Sequence, residues 1–250
     1  MLLGNGDGMG QAETDKFLSW SATHAGTKRG ANEDALVDRP EIGLWAVADG
    51  AGGHTAGALA SGMLADTLAE VTDGLAMDAL IVDIRARVQA AHDAMGSEAT
   101  SRGQGVMVAS TLVVLVARGP LYTCLWAGDS RAYLLRGDAL TQITRDHSLV
   151  QTLVDAGAIT AEEAVNHPRG NVITRAVGAE DADFALDEVS GTLQAGDRLL
   201  LCSDGLNKVL PDPELAGLLA APDPAKALIA AALARHATDN VTAVAVRILP

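Results

Sequence analysis

The chain has 250 residues, 48% of them hydrophobic, which is enough for one large domain or two small ones with a substantial core. Only 3% of the residues are aromatic, so the core must consist mainly of Ala, Val, Leu and Ile. The formal net charge of −14 argues against binding to nucleic acid or to an anionic membrane, because both require a basic surface. Bound divalent cations would offset part of this charge.

Residues 1–17 are rich in glycine and polar residues and predict a flexible N-terminal tail. They contain neither a basic segment nor a long apolar segment, so we expect no signal peptide. No later run approaches the ~20 apolar residues of a membrane helix. Cys124 and Cys202 lie in apolar runs and form no disulfide framework. The sequence therefore predicts a cytoplasmic protein, and a monomer is the default expectation.

The first half of the chain predicts two strands followed by two long helices. The strands are expected over residues 17–23 and 43–49, with a loop over residues 24–40 between them. Apolar residues then recur at helical spacing from Leu59 and again from Ile81.

The second half predicts strands separated by short breaks, and then helices and a final strand. Strands are expected over residues 108–117, 121–127, 131–135, 198–203 and 241–248, and helices over residues 148–164, 213–220 and 224–236. Short breaks favour antiparallel hairpins over crossovers. The order predicts an α+β fold with antiparallel sheet and segregated helices, undivided by any long linker.

Four aspartates lie at the ends of predicted strands, each beside a small or turn-forming residue. They are Asp49, Asp129, Asp204 and Asp239. Each dipeptide alone indicates only a turn. Together, and without a competing Cys/His cluster, they predict a site for Mg²⁺ or Mn²⁺, because these ions prefer oxygen ligands.

A short charged loop follows the first predicted strand. Its Arg29 offers a planar fork that matches two phosphate oxygens, and Glu33 and Asp34 add oxygen ligands. The alternative is a solvated charged loop without a ligand. Beside the aspartates, the loop is a candidate for the phosphate-binding edge of a metal site.

Seven short motifs occur in a fixed order over about residues 20–248. They are RGANEDA from Arg29, ADGAGGH from Ala48, GDSR from Gly128, DHS from Asp146, NVITR from Asn171, SDGL from Ser203 and DNVT from Asp239. The set resembles that of PP2C-type protein phosphatases, the metal-dependent serine/threonine phosphatases of the PPM family, and most of all their compact bacterial members. This resemblance implies a four-layer αββα sandwich over residues 18–250, with two central antiparallel sheets flanked by helix pairs.

The resemblance also implies a metal-ligand set. Asp49 would bridge two Mn²⁺ or Mg²⁺ ions, and the carbonyl of Gly50 would ligate one of them. Asp204 and Asp239 would bind metal on one side, while Asp34 would act mainly through coordinated water.

The implied reaction is hydrolysis of phosphoserine and phosphothreonine in proteins. Water activated by the two ions would attack phosphorus in line with the leaving oxygen, and Arg29 would hold the phosphate. Residues 146–185 would form a flap that influences substrate choice. The expected partners are phosphoproteins, including a Ser/Thr kinase and its substrates.

Two positions depart from the family pattern. Ala51 stands where eukaryotic members carry a histidine, and the nearby His54 either contacts substrate or protonates the leaving group, or alternatively caps the helix start. Asp129 would belong to a third, weaker metal site, but Lys208 stands where many relatives carry its aspartate co-ligand. A lysine repels cations, so the third site should be weaker or differently built, and Asp129 partly structural.

Two other functions are compatible with the fold. One is a non-catalytic binding module, against which the retained ligand set argues. The other is a metal-dependent hydrolase of small phosphate esters or nucleotides.

Overall fold

Eleven strands form the framework of the residues that the computed structural model describes, which are 17–53, 55–181 and 184–250. In chain order they are Phe17–His24 (β1), Asp34–Arg39 (β2), Leu44–Ala51 (β3), Ala109–Ser110 (β4), Leu112–Arg118 (β5), Leu121–Ala127 (β6), Arg131–Arg136 (β7), Ala139–Gln142 (β8), Asp187–Thr192 (β9), Arg198–Cys202 (β10) and Val241–Ile248 (β11). Sheet I has the order β1-β11-β10-β7-β8, and sheet II has the order β2-β3-β5-β6-β9 with β4 paired to β3. Every strand pairing in the two sheets is antiparallel.

Seven α-helices in the described ranges accompany the sheets. They are Thr55–Ala69 (α1), Met77–Arg102 (α2), Leu149–Asp155 (α3), Ala161–Val165 (α4), Asp204–Asn207 (α5), Asp212–Leu218 (α6) and Pro224–Ala234 (α7). The pair α1 and α2 covers the outer face of sheet II, and the short helices α5 to α7 cover the outer face of sheet I. The described part of the chain is thus a four-layer αββα sandwich, as expected.

The central strands β5, β6, β10 and β11 are buried on both faces, which explains why their sequences are almost continuously apolar. In β10, Leu199 and Leu201 point into the layer between the sheets, while Leu200 and Cys202 pack against α5 to α7. In β3, Trp45 points into the same central layer. Side chains alternate between the two faces of a strand. A strand-end residue therefore points into the central layer when it lies an even number of positions from a residue that does so.

Most predicted elements are confirmed, and several regions differ. The strand predicted over residues 108–117 is divided at Thr111 into β4 and β5, and the short helix α5 was not predicted. The loop predicted over residues 24–40 contains β2, and two polar edge strands, β8 and β9, were not predicted. The single helix predicted over residues 148–164 is divided into α3 and α4, because Gly157 adopts a left-handed φ of 67° and Thr160 begins a new helix with a capping box. The predicted N-terminal tail lies outside the described residues, except for Phe17, which pairs with Ile248.

None of the helices in the described ranges is both long enough and apolar enough to cross a bilayer.

Candidate metal centre and active site

The two sheets place Asp34 and Asp49 at one end of the layer between them. Asp49 continues the inward alternation of Trp45 and Val47, and Asp34 is its direct partner across β2 and β3. From the facing sheet, β10 ends and β11 begins at the same edge. Side chains that are far apart in sequence therefore meet where the central apolar layer stops.

Asp34 is held by hydroxyl groups of the opposite sheet. Ser203 Oγ donates to Asp34 Oδ2 at 2.8 Å and Thr242 Oγ1 donates to the same oxygen at 2.6 Å. The other oxygen, Oδ1, is buried without a hydrogen-bond partner. Burial raises the pKa of Asp34 to about 7, and the charges of Asp204 and Asp239 add to this effect, although the two hydroxyl hydrogen bonds oppose it.

Asp49 is the carboxyl group whose pKa is raised by the charges of all four other aspartates. Burial raises its pKa well above the ordinary value, and the negative charges of Asp34, Asp204, Asp129 and Asp239 raise it further, in that order. Its backbone is fixed by the residues after β4. Thr111 N donates to Asp49 O at 2.8 Å, while Asp49 N donates to Thr111 Oγ1 at 3.1 Å.

Gly50 lies where three backbone segments approach closely. A Cβ atom at Gly50 would lie 2.2 Å from the carbonyl oxygen of Gly57 in α1, and 2.7 Å from that of Glu33. Gly50 N donates to Glu33 O at 3.1 Å. Only glycine fits this crossing, so α1 and the Arg29 loop are both seated against the strand end that carries Asp49.

Asp239 is paired with Arg29 across two loops. The Arg29 guanidinium donates from Nε to Oδ1 and from Nη2 to Oδ2, both at 2.9 Å. This fork-to-fork pair is partly exposed, and it keeps the guanidinium at the edge of the site. The close fit of the loops requires Gly26, whose φ is 76° and whose Cβ would lie 2.0 Å from Asp239 O.

Asn240 ties the Arg29 loop to the loop that carries Asp239. Its Oδ1 accepts a hydrogen bond from Glu33 N at 2.8 Å, and its Nδ2 donates to the carbonyl oxygens of Ala25 and Ala31, both at 3.0 Å. The residue is only 5% exposed. One buried amide therefore fixes the loop at three of its backbone groups.

Asp204 begins α5 directly after β10 and forms an ion pair with Lys208 one turn later. Lys208 Nζ also donates to Asn171 Oδ1 in the predicted flap at 2.7 Å. Burial lowers the pKa of Lys208, but the charge and hydrogen bond of Asp204 and the charges of Asp129 and Asp49 outweigh this and raise it. The lysine is therefore fully protonated at neutral pH.

Asp129 follows β6 and is 4% exposed, with its Oδ1 buried and lacking a hydrogen-bond partner. Burial raises its pKa to about 7, and the charge of Asp204 adds to this while Lys208 opposes it. Its neighbour Ser130 forms a 2.7 Å hydroxyl hydrogen bond with Thr111, which also contacts the Asp49 backbone. The two carboxylates are thus supported by one hydroxyl network.

The five aspartates fit a divalent cation in chemistry, although their side chains are not drawn together around one point. In the described ranges, no three His, Cys, Asp or Glu side chains are grouped so that they could hold an ion. Asp204 and Asp239 are turned instead toward Lys208 and Arg29. The fit rests on the mutual repulsion of these carboxylates and on the two buried, unpartnered oxygens, which are the features that a hard cation would relieve.

The predicted flap borders a cleft of about 620 Å³ beside the aspartates. Asp129, Asp204 and Lys208 line its inner side, and flap residues including His167 and Asn171 line its outer side. The flap base is attached by an isolated antiparallel bridge between Ser148 and Ile173.

The structure therefore brings Arg29, Asp34, Asp49, Asp204 and Asp239 to one edge, with Asp129 beside them, whereas His54 lies outside the described residues. The supporting residues Thr111, Ser203, Asn240 and Thr242 were not predicted. Their signal was present, because each is a polar residue next to or within three positions of a strand end. Ser203 directly precedes Asp204, and Asn240 directly follows Asp239.

Comparison with known proteins defines the class. The profile of the protein phosphatase 2C family matches residues 24–243, and the chain belongs to this family. It is 38% identical over 222 residues to the serine/threonine protein phosphatase PstP of Mycobacterium tuberculosis, covering 88% of this chain but only 42% of PstP. The chain thus spans less than half the length of that relative.

Two solved structures are similar over almost the whole chain. PppA, described as a key regulatory component of T6SS in Pseudomonas aeruginosa, superposes with a TM-score of 0.85 at 43% identity, covering 94% of this chain and 98% of PppA. The catalytic domain of PstP in complex with two manganese ions superposes with a TM-score of 0.83 at 34% identity, covering 94% of this chain and 99% of that domain.

Proposed function

We propose that this protein is a metal-dependent phosphoprotein phosphatase that hydrolyses phosphoserine and phosphothreonine with a water activated by two Mn²⁺ or Mg²⁺ ions. The observation that carries the proposal is the convergence of Asp34, Asp49, Asp204 and Asp239 with Arg29 at one edge of the sandwich, in a chain of the protein phosphatase 2C family. The two manganese ions in the PstP domain support the choice of metal.

The ligands would divide between the sheets. Asp49 and the Gly50 carbonyl on sheet II, and Asp204 and Asp239 from sheet I, would hold the ions, with Asp34 contributing through water. Asp34 suits that outer role, because Ser203 and Thr242 already fix one of its oxygens and leave the other free. When bound, such ions lower the pKa of a shared water and neutralise charge on the phosphoryl oxygens.

The chain's own groups would bind and orient the phosphate. Arg29 is fixed through Nε and Nη2 by Asp239, which leaves its Nη1 and the second Nη2 proton for phosphate oxygens. The guanidinium would stabilise the charge that develops on these oxygens during phosphoryl transfer. His54 remains our candidate for contact with the substrate or for protonation of the leaving oxygen.

The expected partners are phosphoproteins, among them a Ser/Thr kinase and its substrates, and we propose that the protein acts on them as a monomer in the cytoplasm. The free, buried thiols of Cys124 and Cys202 agree with a reducing compartment. Light scattering after size exclusion tests the oligomeric state.

The central experiment measures phosphate release from a phosphothreonine peptide with Mn²⁺, with and without a chelator, beside a small-molecule phosphate ester. Metal-dependent hydrolysis that favours the peptide supports the proposal. Hydrolysis of the small ester alone supports the alternative hydrolase, and a protein that binds no Mn²⁺ supports a non-catalytic module. Activity that survives chelation contradicts the mechanism.

A further inference from the structure

Lys208 connects two parts of the molecule that share no strand pairing. It lies at the end of α5, and its ammonium group contacts Asp204 Oδ2. The same group donates to Asn171 Oδ1 at 2.7 Å, in the flap loop that follows α4. One cationic group thus links a proposed metal ligand to the flap.

The ammonium group of Lys208 lies among acidic side chains at the inner side of the cleft. It lines the cleft together with Asp129 and Asp204, and the negative charges of Asp129, Asp204 and Asp49 all act on it. Asp129 Oδ1 lies buried without a hydrogen-bond partner on the same side. A positive charge nearby stabilises the ionised form of buried carboxyls, and here the chain itself supplies that charge.

This arrangement differs from an ordinary helical surface pair. Lys226 also pairs with an aspartate of its own helix end, Asp223, but its side chain is 79% exposed and forms no ion pair with another segment of the described chain. The side chain of Lys208 is 38% exposed, and its second partner comes from a distant part of the chain. The contrast makes Lys226 a matched control.

We propose that Lys208 is a positioning residue that acts as a built-in cation. It fills the Asp129–Asp204 side of the centre, where it excludes a further divalent ion, and it holds the flap loop against Asp204 through Asn171. The exclusion of an ion rests on the proposed metal centre, whereas the attachment of the flap does not.

The flap is tested by hydrogen–deuterium exchange of the full chain, with and without saturating Mn²⁺. Lys208→Met should speed amide exchange over residues 166–175 about tenfold, the effect expected for loss of one hydrogen bond to a charged group. Asn171→Ala, which leaves the lysine in place, should give the same change, and the double variant no more than either single one. Lys208→Arg should retain protection, and Lys226→Met should match the wild type.

Unchanged flap exchange in both Lys208→Met and Asn171→Ala overturns the proposal. Asn171→Ala decides the question if Lys208→Met fails to fold, which circular dichroism would show. An increase spread over the whole chain, or one also seen in Lys226→Met, likewise counts against a local attachment.

Exclusion of an ion is tested by the stoichiometry of Mn²⁺ binding in equilibrium dialysis. Lys208→Asp replaces the ammonium group by a third carboxylate and should bind one more ion than the wild type. Equal stoichiometry overturns the built-in cation. A wild-type protein that binds no Mn²⁺ refutes the proposed function instead, and the metal-free exchange data then still decide whether Lys208 holds the flap.

Discussion

Asp34 and Asp49 are direct partners across two neighbouring antiparallel strands, so that two acidic side chains face the same end of the central layer. Like charges placed directly opposite each other destabilise a sheet. The apolar layer behind them reduces their hydration, and burial raises the pKa of both carboxyls. The two carboxylates repel each other in the absence of metal, and a divalent ion bound between them would attract both.

Replacing Asp49 by Asn should separate stability from activity. The amide keeps the shape but removes the charge that the other four aspartates oppose, so the metal-free variant should melt no lower than the wild type. Its kcat/KM on a phosphothreonine peptide with Mn²⁺ should fall on the order of 10³-fold, equivalent to about 4 kcal/mol. Calorimetry and peptide kinetics check the two halves. The control is Asp138→Asn, in the exposed turn between β7 and β8.

The metal-free protein should lose stability as the pH rises from 5 to 8. A carboxyl whose pKa is higher in the folded state binds protons more tightly when folded, so folding is favoured below that pKa and disfavoured above it. Asp34 and Asp129 both have pKa values raised to about 7. Each contributes a slope of up to about 1.4 kcal/mol per pH unit between its unfolded and folded pKa.

Mn²⁺ should reverse this trend, because the ion competes with protons for the same oxygens. The increase in melting temperature on adding Mn²⁺ should therefore be larger at pH 8 than at pH 5.5. Thermal unfolding at several pH values, with and without the ion, measures both effects. Metal-free stability that rises with pH over this interval contradicts the assignment of these carboxyls.

Removing the hydroxyl groups that hold Asp34 should weaken metal binding without unfolding the protein. Ser203→Ala and Thr242→Val each delete one donor to Asp34 Oδ2. Residues that orient a ligand typically change metal affinity by about 10- to 100-fold. Titration calorimetry with Mn²⁺ gives the dissociation constants. Thr141→Val, at an exposed position of β8, should bind Mn²⁺ as the wild type does.

Arg29→Lys should weaken substrate capture more than metal binding. The lysine keeps a positive charge but loses the planar fork that pairs with Asp239 and would meet phosphate oxygens. We expect kcat/KM to fall roughly 10- to 100-fold, with most of the change in KM. Peptide kinetics at saturating Mn²⁺ provide the measurement, and Arg102→Lys, in a pair at the end of α2, is the matched control. A change confined to the Mn²⁺ requirement would argue against a phosphate contact.

The sandwich was predictable because its central strands are apolar on both faces. The continuously apolar runs that form β5, β6, β10 and β11 indicate strands that are covered by other layers on both faces of the sheet. The edge strand β9 reads Asp-Glu-Val-Ser-Gly-Thr and contains no such apolar run. It has a neighbouring strand along one edge only, and most of its residues are exposed to solvent. Its pairing with β6 is a tertiary effect that local sequence does not encode.

The site was predictable as a set of carboxylates but not as a geometry. Strand ends marked Asp49, Asp204 and Asp239, and the register of β2 on β3 then placed Asp34 opposite Asp49. The partners of these residues come from long-range contacts, such as the hydrogen bond from Thr242 to Asp34. The contact between Lys208 and Asn171 is also not visible in the sequence. It depends on the path of the flap, and this path includes a turn at Gly157 where the sequence pattern favours one continuous helix.

Asn240 holds the Arg29 loop through three backbone groups and directly follows Asp239 in the chain. In the mechanism proposed above, Arg29 would bind the phosphate and Asp239 would bind the metal. The same amide side chain, that of Asn240, helps to position both residues. Substrate affinity and cation affinity are then coupled through Asn240. A substitution that shifts either loop will change both affinities.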